Sequence, residues 1–155
     1  MKRIILSLAI LPAITSSAMA DSLALRSPDG RNEVSFSKPG KELTYSVKVD
    51  GKDVILPSRA GLDIDNRVWE MALGKRDLVQ PDCWMDLLKV DSVTYHAAVD
   101  STWNPLYGER STVRDRFNSA TLHMSRKDKS DYRLDVQVRA YDEGIAFRYF
   151  FPEHP

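Results

Sequence analysis

The chain has 155 residues, with 22 basic and 22 acidic side chains and a single cysteine. That balance excludes nucleic acid as a partner, because such binding needs a basic excess gathered on one face. Cys83 has no second Cys for an internal disulfide and no His or Cys near it at zinc-ligand spacing, so it reads as a small buried apolar side chain.

Residues 1–20 read as an export signal. Lys2 and Arg3 open it, Ile4 to Ile14 form its apolar run, and Ala18-Met19-Ala20 gives a small-x-small cleavage site before Asp21. The run falls short of the ~20 apolar residues of a spanning helix. The expectation is cleavage, a periplasmic or secreted location, and no membrane association afterwards. Losing Lys2 and Arg3 leaves 22 less two basic side chains against 22 acidic ones, a slight negative excess. Residues 21–155 have the length of one domain or part of a larger one.

Glu33 to Ser37 alternates with Val34 and Phe36 on one side, and Leu43 to Val49 alternates more cleanly. Asp50-Gly51 supplies a two-residue hairpin turn, since both residues tolerate positive φ. Asp53 to Leu56 returns, and Pro57 is expected to stop that strand. Gly61 to Lys89 fits no single period. Val90 to Val99 reads as one strand or two half-strands. Ser119 to Ser125 puts Ala120, Leu122 and Met124 inward and Thr121 and His123 outward. Arg126 to Asp131 reads as an exposed loop.

Tyr132 to Ala140 is the clearest strand, apolar at every second residue. Asp142-Glu143-Gly144 turns the chain, and Ile145, Phe147, Tyr149 and Phe151 face one way on the return. Half-buried antiparallel hairpins in succession predict a mostly β fold, an antiparallel β-sandwich.

No catalytic constellation stands out. Asp63 and Asp65 would share one face of a strand, yet surface strands carry such pairs without chemistry. His96, His123 and His154 are widely separated, no nucleophile elbow is present, and His123 reads as a half-exposed sheet residue.

The stretch WNPLYGERSTVRDRFN, from Trp103 to Asn118, is the richest functional candidate. Trp103 and Tyr107 can stack on a sugar ring while Glu109, Arg110, Arg114 and Asn118 bond its hydroxyls. The same composition also suits a structural role. Pro105 and Gly108 would shape a bend, the aromatics would cap the sandwich end, and Arg110, Arg114 and Arg116 would pair with Glu109 and Asp115.

Trp103, Pro105, Leu106, Tyr107, Gly108, Glu109, Arg110, Arg114 and Asn118 follow a W-x-P-[VL]-[WY]-G-E segment and the charged strand after it. In this the chain resembles the N-terminal domain of glycoside hydrolase family 97. The likeness extends through SPDGRNEVSF and LTYSVKVDGKDVILPSRAGLDI upstream and YRLDVQVRAYDEGIAFRYFFPE downstream. It implies a partial β-super-sandwich of the galactose mutarotase-like kind, preceding a catalytic (β/α)8 barrel that cleaves α-glucosidic or α-galactosidic bonds with calcium in its active site. The catalytic carboxylates would lie on the barrel, and no metal ligand is carried onto this chain.

The family's N-terminal domain is about twice this length, so the chain is expected to be incomplete as a sandwich and inactive alone. Trp103, Tyr107, Glu109, Arg110, Arg114 and Asn118 would meet the barrel or border its sugar pocket, with an oligosaccharide as a further partner. A stand-alone periplasmic sugar-binding module is the alternative. A third reading, a purely structural sandwich with no ligand, is favoured if Trp103 is fully buried under its own domain.

Overall fold

The computed structural model describes residues 22–62, 84–127 and 132–153. The export signal, most of the unreadable region, Asp63, Asp65, Cys83, residues 128–131 of the expected loop, and His154 lie outside them.

Strands β1 (Ser22–Arg26), β2 (Asn32–Ser37), β3 (Thr44–Val49) and β4 (Lys52–Arg59) form a four-stranded antiparallel meander. Side chains alternate faces along a strand, so directly paired residues share a face. Leu23 opposite Phe36 and Leu25 opposite Val34 therefore make one apolar surface, which Tyr45 and Val47 extend across β3. Asp50 (φ 50°) and Gly51 (φ 76°) make the predicted turn, both left-handed as such a hairpin requires.

Pro57 does not stop β4, which runs on to Arg59. A proline breaks a strand when its missing N–H removes a ladder bond, and β4 is an edge. The ladder slips instead: Ile55 pairs with Val47 and Ser58 with Tyr45, so Leu56 and Pro57 together stand against Ser46 and the one extra residue is taken up in a bulge.

A 3-10 turn at Trp84–Leu87 leads into the second sheet. It comprises β5 (Leu88–Tyr95), β6 (Val99–Trp103), β7 (Val113–Arg126), β8 (Arg133–Tyr141) and β9 (Gly144–Phe150). The region from Val90 to Trp103 is thus two strands, and they lie end to end along one flank of β7. β5 pairs with residues 120–126 of β7 and β6 with residues 113–117, while β8 takes the other flank and β9 pairs with β8.

The predicted inward residues of β7 and β8, Ala120, Leu122, Met124, Leu134, Val136, Val138 and Ala140, are buried, and so, on the face expected to be outward, are Thr121, Ser125 and Asp135. β1 lies over β5, β7 and β8, and β2 over β8 and β9. The core is therefore the seam between the two sheets, where burial of apolar area supplies the main stabilising term. Phe147 of β9 packs edge-on against Phe36, with ring centroids 5.3 Å apart. Val54 and Leu56 of β4 and Phe150 and Phe151 at the end of β9 are exposed.

Candidate functional site

Only the first part of the Trp103–Asn118 stretch is a connection. Trp103 ends β6, residues 104–112 form the tip, and Val113 begins the 14-residue β7. Pairing between β7 and β8 starts at Phe117 opposite Tyr141, so residues 113–116 pair with β6 alone. β6 and the first part of β7 therefore project from the sandwich as a two-stranded arm.

Polar bonds stiffen the arm. Arg114 donates through Nε and Nη2 to both oxygens of Asp100, at 2.8 and 2.7 Å, the paired geometry that a planar guanidinium favours. Thr112 Oγ1 donates to Asn104 Oδ1 at 3.2 Å across the tip's base. Arg116 Nη1 reaches Asp142 Oδ2 at 3.3 Å, and Asp142 Oδ1 accepts from the backbone N–H of Asp29. The arm's root is thereby tied to one turn of each sheet. Asn118 Nδ2 donates to the Arg26 carbonyl, 2.9 Å away on β1.

The expected pairing of Arg114 and Arg116 with Glu109 and Asp115 gives way to pairing with Asp100 and Asp142. Ladder register decides this: Asp100 lies opposite Arg116 and diagonal to Arg114, on the same face of the arm. Glu109 and Arg110 are exposed at the tip and make no bond or ion pair among the described residues.

The aromatics do not cap the sandwich. Trp103 is 54% exposed, Tyr107 89% and Leu106 99%. The buried Trp103 that would favour a purely structural sandwich is therefore not found. Gly108, at φ 124°, holds a conformation that side-chain-bearing residues avoid, and it turns the chain back at the tip.

The Arg114 guanidinium holds the Asp100 carboxyl below the ordinary carboxylate value, outweighing a small desolvation effect, and Arg116 adds to it. A carboxyl depressed on folding contributes stability above its unfolded pKa and loses that contribution as pH falls through the folded value. An NMR titration of the Asp100 carboxyl is expected to give a midpoint below the ordinary range, and Arg114→Gln to return it there. A midpoint unaffected by the substitution would show the pair to be absent in solution.

A second polar cluster escaped the sequence reading. His123 is more than a half-exposed sheet residue, because its Nδ1 lies 2.9 Å from Asp135 Oδ1 and its Nε2 lies 3.0 Å from Thr94 Oγ1. Alternation places His123 outward, but only the ladder register brings Asp135 beside it. The calcium implied by the family resemblance finds no donor set here: among the described residues no group of three or more His, Cys, Asp or Glu could hold an ion.

The family described as glycosyl-hydrolase 97 N-terminal matches residues 25–155. A retaining alpha-galactosidase of Bacteroides thetaiotaomicron is 26% identical over 125 residues, covering 81% of this chain and 16% of that protein. A glycoside hydrolase family 97 enzyme from Pseudoalteromonas sp. strain K8, solved in complex with panose, superposes with a TM-score of 0.68 at 24% identity, over 85% of this chain and 18% of that one. A beta-arabinopyranosidase superposes with a TM-score of 0.64 at 20% identity, over the same shares. The chain thus spans less than a fifth of the length of these relatives. The antiparallel sandwich and the match over residues 25–155 lead to one conclusion: the chain belongs to the glycosyl-hydrolase 97 N-terminal family.

Proposed function

We propose that the chain, exported by its first 20 residues to the periplasm or beyond, acts as the non-catalytic partner of a (β/α)8 barrel that hydrolyses α-glucosides or α-galactosides. Calcium would belong to the barrel's active site, and this chain's part is to pack on the barrel and complete it. The observation that carries this reading is the arm: Leu106 and Tyr107 stand almost fully exposed on a support stiffened by charged pairs. Apolar anchors held out on a preorganised element lose little entropy when a partner buries them. The exposed Glu109 and Arg110 would form the polar rim of that contact.

The test is co-expression of the exported chain with a family 97 catalytic barrel as a separate polypeptide. The two are expected to copurify, and turnover of a nitrophenyl α-glucoside or α-galactoside is expected from the mixture and not from this chain alone. Replacing Leu106 and Tyr107 together by Ser should weaken the complex by about tenfold or more, given the apolar area lost. Turnover by the chain alone, or a double variant that binds as well as the parent, would overturn the proposal.

A second reading, a sugar-binding module, is favoured by the exposed Trp103. It requires that maltose or galactose raise the melting temperature and that Trp103→Ala abolish the effect.

A further inference from the structure

The outer face of the second sheet carries a polar cavity unrelated to the arm. His123 of β7 bonds Asp135 of β8 on one side and Thr94 of β5 on the other. A carboxylate can only accept, so Nδ1 carries a proton and donates it to Asp135, while Nε2 shares a hydrogen bond with the Thr94 hydroxyl. This line fixes the Asp135 carboxylate in one orientation. His123 bonds Oδ1 and leaves the second oxygen of the carboxylate open to a donor from the cavity.

Beside Asp135 lies a cavity of about 480 Å³, within the range of small-molecule sites. Lys89, Asp91, Arg133 and Asp135 line it together with the imidazole of His123 and the buried Ser125. Lys89 and Asp91 form an ion pair 3.0 Å long across its β5 side. Burial pushes the Asp91 carboxyl up, but the Ser125 hydroxyl and Lys89, with the charge of Arg133, outweigh it and leave the carboxyl below its ordinary value. Two cations and two carboxylates cancel, so the cavity has no net attraction for an ion of either sign. What it offers is alternating acceptors and donors at close range.

One further wall is apolar. Pro152 lines the cavity, and Phe150, opposite Asp135 in the ladder and 42% exposed, lies on the same face. A pyranose ring has both properties: neighbouring hydroxyls that donate and accept, and C–H faces that lie against apolar groups.

We propose that this cavity binds a neutral pyranose unit, with Asp135 and Asp91 accepting from ring hydroxyls, Lys89 and Arg133 donating to them, and Phe150 and Pro152 covering a ring face. His123 and Thr94 are positioning residues, which hold the Asp135 carboxylate towards the ligand. The cavity shares no residue with the arm, so its failure would leave the docking proposal standing.

The test titrates the exported chain with methyl α-glucopyranoside and methyl α-galactopyranoside, followed by amide NMR shifts and by melting temperature. Saturable shifts are expected at residues 89–91, 123–125 and 133–135 for at least one of the two sugars. Asp135→Asn and Arg133→Ala should each weaken binding about tenfold or more, because each removes a charge-assisted hydrogen bond. Trp103→Ala should leave the binding unchanged, which separates this cavity from a sugar site on the arm. Should Asp135→Asn fail to fold, Arg133→Ala and Asp91→Asn decide the question. Absence of saturation, a linear stabilisation shared by every variant as excluded solutes give, or shifts that move to the tip would each overturn the assignment.

Discussion

Phe36→Ala is expected to destabilise the domain by about 3–5 kcal/mol, the usual cost of deleting a buried aromatic ring. Phe36 has no exposed surface and lies where the two sheets meet. Its ring stacks on Tyr45 at 5.9 Å and meets Phe147 edge-on at 5.3 Å. Tyr45 belongs to β3 and Phe147 to β9, each held by its own ladder, so neither can move in to fill the space. A domain of this kind has about 5–15 kcal/mol in total, so the substitution removes a large fraction of its stability. The measurement is a urea transition whose midpoint falls while its slope is unchanged. Val54→Ala on the exposed edge should shift the midpoint by about 0.5 kcal/mol or less. Equal effects at the two positions would mean that the sheets do not pack as described.

Asn32→Asp is expected to cost about 3 kcal/mol or more at neutral pH, although it alters a single functional group. The Asn32 amide nitrogen donates to the carbonyls of both Tyr141 and Asp142, each 2.9 Å away, and the residue is 6% exposed. A carboxylate there would turn an acceptor towards two acceptors and bring a charge into a buried place. Protonation would restore one donor, so the pKa of the new carboxyl should be raised by folding. A carboxyl raised on folding destabilises fully above its folded pKa and is relieved as pH falls towards its unfolded value. Chemical denaturation at about pH 5 and about pH 8 should therefore show the larger deficit at the higher pH. A deficit independent of pH would mean that the carboxyl escapes to solvent.

Asn32 also shows why some of the fold is legible in the chain and some is not. β2, β3, β8 and β9 follow a period of two because one face of each turns its apolar side chains to the seam, although on β9 these are only partly buried. Asp50-Gly51 marks its turn because the backbone there needs positive φ. β1 went unread, since five residues with Leu23 and Leu25 give too short a period beside the export signal. The first half of β7 is mostly half-buried and charged, with Phe117 its one buried side chain, so it carries no clear alternation and passes for a loop.

The candidate site was legible as a stretch and illegible as a geometry. Composition singled out Trp103 and Tyr107, and the structure leaves both exposed at the end of the arm. The partners of Arg114 and Arg116 are set by the β6–β7 register, which local composition does not encode. Thr94, His123 and Asp135 are likewise far apart in the chain and become neighbours only through two ladders. The motif as a whole, in order and spacing, carried the family relationship that no single residue could.

One strand runs unbroken from the exposed tip into the middle of the packed seam, with Val113 at one end and Met124 near the other. The base of the arm and the seam thus share one ladder-held strand, so the direction in which the arm points is set by the same register that aligns Ala120, Leu122 and Met124 in the core.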